Sequence, residues 1–152
     1  MEATEGINLK IDSILKKENP ELYSELDSFK KELDERKSLG FILAYAVLLQ
    51  YSNEYTSTEK KIAYLLNDSM AYYVVENNYL EEFLEAIQLE KKRQTIFIKY
   101  FSFLEDSKTK LKYTENPKNV LEYLERVEGI LKNTVEYGLD YYKELVENTT
   151  II

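Results

Sequence analysis

Leu39 to Leu49 reads LGFILAYAVLL, and the fold of this run decides the architecture. A helix apolar on every side belongs in the middle of a bundle. A buried strand is the rival reading, but Ala44, Ala46 and the lack of apolar–polar alternation favour helix. The run is about half the length needed to cross a bilayer, so it reads as core rather than as a membrane span.

Upstream of it, Asn19-Pro20 is a helix start signal, since Asn caps well and Pro is favoured at the first helical position. The helix it opens carries the stripe Leu22, Leu26, Phe29 and Leu33. Before it, Ile7, Ile11, Ile14 and Leu15 predict a short first helix. Downstream, Ser52 and Asn53 break the pattern, and Thr56 with Glu59 forms a capping box. Ile62, Leu65, Leu66, Met70 and Tyr73 then line a further helix, which Asn77-Asn78 ends. Asn78 with Glu81 is a weaker capping box.

The region from Leu80 to Leu111 has two stripes: Leu80, Phe83, Leu84 and Ile87, then Phe97, Ile98, Phe101 and Leu104. The polar stretch 90–94 interrupts them and leaves one helix or two open. Asn116-Pro117 repeats the start signal, and a long last helix is predicted to run to about Asn148. Val120, Leu124, Val127 and Leu131 make a seam on it that continues through Thr134, Gly138, Tyr141 and Leu145. Ordinary packing inside the bundle and docking of a partner backbone both fit this seam. The expected architecture is all-α: residues 1–152 as one helical bundle of five to seven helices, with a central apolar helix near 39–51 and a helix over 117–148 available for docking.

Composition narrows the function. The 152 residues include 14 tyrosines but no histidine, cysteine or tryptophan. Histidine and cysteine supply most groups that titrate near neutrality, most soft nucleophiles and most transition-metal ligands. Binding is therefore expected rather than catalysis, with no catalytic residue, no metal and no cofactor. The net charge of −8 argues against general affinity for nucleic acid or anionic membrane. The opening residues do not form a secretory signal, so a cytoplasmic location is expected. Lysine outnumbers arginine 17 to 3, a bias of AT-rich genomes that suggests an archaeal or viral source.

Two charged constellations stand out. Residues 86–112 hold Lys91, Lys92, Arg93, Lys99, Lys108, Lys110 and Lys112 against Glu90, Glu105 and Asp106. Phe97, Tyr100, Phe101 and Phe103 lie among them. Basic residues interleaved with aromatics suit single-stranded RNA, and a solvated lysine face over core aromatics suits the same pattern. The last forty residues are acidic, and Glu122 and Glu125 line one helix face. That face could pair with the basic region, or mimic phosphates toward a basic protein as an acidic viral inhibitor would. The doublets Tyr72-Tyr73 and Tyr141-Tyr142 each turn at least one ring from the core, and exposed tyrosine marks interfaces. Glu122, Glu125, Thr134, Gly138, Tyr141 and Tyr142 are the candidate protein-contact residues, with self-association among the outcomes. Glu81 with Glu85, and Glu122, Glu125 and Glu128, each line one helix face but lack the histidines of a di-metal bundle, so a carboxylate-dependent metal enzyme is the least favoured alternative and solvated faces explain them better.

Two segments resemble known families. Arg93 to Tyr100, RQTIFIKY, resembles the Arg-x4-His-x-Tyr motif of helical HEPN ribonucleases, but Ile98 stands at the histidine position and removes the catalytic group. Tyr23-Ser24, Leu39-Gly40 and Ala44-Tyr45, with Arg93, Thr95 and Phe103-Leu104, resemble the small all-helical subunit of type III-B CRISPR effector complexes. This chain departs from that pattern in its inverted Leu-Gly, its extra last helix and its acidity. The resemblance implies a non-catalytic subunit of an RNA-guided antiviral assembly. That subunit would stack with copies of itself and support a guide–target duplex, through Lys91, Lys92, Arg93 and Lys99 here.

Overall fold

In the computed structural model, residues 16–52, 56–102 and 107–149 are described, apart from the side chains of 101, 102 and 107–116. Besides helical residues 16–18, the described residues form seven helices: α1 (Pro20–Glu35), α2 (Leu39–Ser52), α3 (Thr58–Leu66), α4 (Ser69–Glu76), α5 (Leu80–Ser102), α6 (Ser107–Tyr137) and α7 (Leu139–Asn148). The all-α expectation holds. The helix expected over Ile7 to Leu15 lies outside the described residues.

The start of α1 follows its sequence signal. Asn19 Oδ1 accepts from the Leu22 N–H at 3.2 Å, and Pro20 occupies the first turn. The start of α3 is shifted by one residue: Ser57, not Thr56, is the cap, accepting from the Lys60 N–H at 3.3 Å. Asn78 does not cap α5. It adopts φ 65° and closes α4, with its N–H on the Val75 carbonyl and the Tyr79 N–H on the Val74 carbonyl. That is a Schellman ending, with Asn in the left-handed position it tolerates better than most residues.

α5 is one helix across residues 90–94, described from Leu80 to Ser102, and residues 107–111 of the expected region belong to α6. The polar stretch does not break it because Glu90 and Gln94 are buried in hydrogen bonds to one another and to α2. α6 begins at Ser107, ahead of the expected start, and carries Pro117 inside it. The predicted 117–148 helix is also cut in two. Gly138 takes φ +91°, a backbone region that side chains with a Cβ disfavour, and α7 turns off there.

α5 and α6 form the spine, the most extensive helix pair in the fold. α1 lies antiparallel on α5, since Glu25 meets Lys99 and Glu32 meets Lys92. α3 packs on α6, and α7 folds back against α6. α2 contacts α3, α4, α5 and α6. Its register against α4 is fixed at both ends: Tyr51 donates to Asp68, and the ring of Tyr79 covers Gly40 so closely that a Cβ there would lie 2.6 Å away. The two anchors come in opposite order along the chain segments they join, so α4 runs antiparallel to α2. The core is built from Phe41, Ala44, Val47 and Leu48 of α2, Phe83, Ala86 and Ile87 of α5, and Val120, Tyr123, Leu124 and Leu131 of α6.

Candidate interaction face

The basic residues marked by the sequence lie on α5, and each is closed on a carboxylate of the same chain. Lys91 Nζ lies 3.1 Å from Glu128, Lys92 Nζ 2.7 Å from Glu32, and Lys99 Nζ 2.9 Å from Glu25. Arg93 forks onto Glu90 at 2.6 and 2.7 Å. Lys92 and Lys99 border a groove of about 830 Å³ between α1 and α5, floored by Leu89 and Ile96. Their partners are half-exposed, so these pairs orient α1 more than they stabilise it. Expectations placed on Phe101, Phe103, Lys108, Lys110 and Lys112 fall outside the described side chains.

Arg93 differs from the lysines. Glu90 is 0 % exposed and accepts from Tyr45 at 2.9 Å and Gln94 at 3.1 Å as well as from Arg93. Burial opposes the Arg93 charge, but hydrogen bonding to Glu90 and its charge hold the guanidinium above its ordinary pKa. Burial, the Glu90 charge and the hydrogen bond to it push the Tyr45 phenol well above the tyrosine range. This cluster is a polar staple between α2 and α5. Glu128 is held below the usual carboxylate range: burial works the other way, but the hydrogen bond and charge of Lys91, with Gln88 and Lys132, outweigh it.

The C-terminal candidates divide. Glu122 and Glu125 are exposed on α6. Thr134 and Tyr142 are buried within the chain: Thr134 Oγ1 donates to the Ile130 carbonyl, and the Tyr142 ring lies 6.2 Å from that of Tyr72. Tyr141 is half-buried, accepts from Asn133 Nδ2 at 3.1 Å and lies 6.1 Å from the Tyr137 ring. Gly138 serves as the elbow, and a Cβ there would meet no atom within 4 Å, so it makes no close backbone approach within the chain. The seam of Val120, Leu124, Val127 and Leu131 is spent inside the bundle.

Besides Val135 and Tyr137 near the elbow, 60 % and 65 % exposed, the apolar surface left open among the described residues is on α2 and α4. The helix expected to be covered all round buries Phe41, Ala44, Val47 and Leu48 and turns the opposite arc outward. Leu39 is 59 % exposed and Ile42 52 %, with Ala46 and Gln50 exposed on the same arc and Leu43 and Leu49 half-buried at its edges. Positions 39, 42, 46 and 49 fall on one helix face. On α4, which runs antiparallel beside α2, Met70 and Tyr73 are 41 % and 48 % exposed. No charge interrupts the arc, because the chain carries none from Ser38 to Asn53. Sequence reasoning missed this face because a helix apolar on all sides gives no moment to say which side is covered. The uncharged run is the signal that could have drawn notice to it.

Among the described residues no three carboxylates converge as a metal site needs, and no described helix is long and apolar enough to cross a membrane. Comparisons of this chain with family models, curated proteins and solved structures find no match.

Proposed function

We propose that this chain is a non-catalytic interaction protein, a small helical subunit of a larger assembly, and that it docks through the outward face of α2 and α4. The observation that carries the reading is the uncharged arc of Leu39, Ile42 and Ala46 in solvent. Apolar patches of this kind on otherwise polar proteins mark contact sites. The ion pairs of α5 support protein docking over RNA docking as the primary contact: a phosphate would have to displace Glu25, Glu32 and Glu128 from their lysines. The RNA-guided assembly implied by the family resemblance stays a special case of this reading, with RNA contact secondary.

The test is recovery of tagged protein from cells that make it, followed by identification of bound protein and nucleic acid. The reading expects a defined set of proteins that Ile42→Asp releases and Lys92→Glu retains. Release by Lys92→Glu together with short RNA, and retention by Ile42→Asp, would move the site to α5. A second reading rests on Glu122 and Glu125, which stand exposed with no ion pair among the described residues. As an acidic inhibitor, the chain would bind one basic nucleic-acid enzyme and lose it on Glu122→Lys with Glu125→Lys.

A further inference from the structure

We infer that the occupant of the α2–α4 face is a single amphipathic helix of a partner protein, with a basic end seated over the Leu39 end of the arc. The inference rests on the docking reading above and adds the partner's size and charge.

Size comes first. Leu39, Ile42, Met70 and Tyr73 are each about half exposed, so together they present a patch on the order of 400 Å². A stable two-chain interface needs about 800 Å² from each partner. The apolar patch supplies about half of that, so a second copy laid flat on it would draw the rest of its interface from the like-charged acidic surface around the patch. The patch matches the helix-in-groove mode, in which one helix sets residues spaced three and four apart onto an apolar strip. The strip runs from Leu39 to Leu49, about 15 Å along the axis and roughly three turns of a docked helix.

Charge comes second, and it is lopsided along the strip. Tyr79, stacked on Gly40, brings the start of α5 to the Leu39 end. Residues 76–85 contain Glu76, Glu81, Glu82 and Glu85 and no cation. Glu85 is engaged by Arg36 at 3.5 Å, whereas Glu76, Glu81 and Glu82 hold no ion pair among the described residues. Asp34, Glu35 and Glu85 stand against only Arg36 and Lys37, so the end of α1 adds to the acidity there. At the Gln50 end the charges of the described residues are offset, with Glu59 on Arg126 at 3.1 Å and Asp68, which accepts from the neutral Tyr51 phenol, matched by Lys60 and Lys61. The field along the strip thus runs from acidic to neutral. It selects a helix with lysine or arginine at one end, fixes its direction and repels an acidic one.

The experiment is a selection from a displayed library of helical peptides with a fixed Leu/Ile stripe and randomised charged ends. The full chain is the bait, and affinities of the enriched peptides and their charge-swapped twins are read by fluorescence anisotropy. The expected result is enrichment of lysine and arginine at one end, with at least tenfold loss of affinity when that end is made acidic. Combining Glu76→Lys, Glu81→Lys and Glu82→Lys should invert the preference, while Ile42→Asp and, separately, Leu39→Ser abolish binding of either kind. Enriched peptides with no charge bias, or a bias that the triple reversal leaves intact, would overturn the partner's charge and leave the docking face standing. Peptides that bind Ile42→Asp and Leu39→Ser as well as the parent would overturn both. Failure to enrich any peptide would overturn the helical occupant, while the recovery test above still decides the docking face.

Discussion

The outward arc of α2 and the basic stripe of α5 exchange the roles their compositions suggest. The arc is the most apolar stretch of the chain and stays open to solvent at Leu39 and Ile42. The stripe is the most basic stretch, and its described cations are each closed on an internal carboxylate. Composition states what a segment can do. Whether it is free to do it depends on what the rest of the chain places opposite, and −8 of net charge supplies carboxylates in excess. An acidic chain neutralises its own lysines before any polyanion arrives, whereas an apolar arc with no facing element among the described residues is left open.

The largest expected effect attacks the closed region. Tyr45, Tyr123 and Tyr142 are all held above the ordinary tyrosine pKa, chiefly by burial. A raised folded-state pKa contributes stability that is fully present below the unfolded value and lost as pH rises past it, here above about pH 10. Circular dichroism should report loss of the fold in alkali, in step with ionisation of buried phenols followed by tyrosinate absorbance. Free ionisation of every tyrosine with the helices intact would show the interior to be open.

Glu90→Ala comes next. It leaves Arg93, Tyr45 and Gln94 without their shared acceptor and should cost about 3 kcal/mol in urea unfolding, as removal of one partner from a buried pair does. A loss below about 1 kcal/mol would place the cluster at the surface. Lys99→Glu should cost less than about 1 kcal/mol, since its pair with Glu25 is half-exposed, and Glu25→Lys in the same chain should recover part of it. The smallest effect separates the two regions most cleanly. Ile42→Ser should change stability by no more than about 0.5 kcal/mol, whereas Phe41→Ser, one residue away and buried, should cost several times that amount.

The sequence carried most of the helix map. Asn19-Pro20 opens α1 as its chemistry dictates, and Ile62, Leu65, Leu66, Phe83 and Ile87 of the expected stripes are buried, whereas the helix expected to carry Ile62 through Tyr73 is cut at Asn67-Asp68 and leaves Met70 and Tyr73 exposed. The second Asn-Pro misled because Pro117 sits inside a helix already begun at Ser107. Gly138 misled because a small residue at a seam position reads equally as close packing or as a break, and only the backbone angle separates them. The candidate site was less legible for a different reason. Pairing of Lys92 with Glu32 or Lys99 with Glu25 spans more than two helices of chain, and no local pattern encodes it. Burial of Glu90 depends on Tyr45 arriving from α2, so a stretch that reads as an interruption becomes a staple.

The most direct test of the open arc uses the absence of cysteine from the chain, which makes single-cysteine scanning clean. Ile42→Cys and Ala44→Cys are two residues apart on α2, one facing out and one fully buried. Rates of labelling by a small thiol reagent in the folded protein should differ by orders of magnitude, with position 42 close to the rate of an unstructured thiol and position 44 protected. Equal protection at both positions would mean that α2 is covered on every side, and the docking face would not exist.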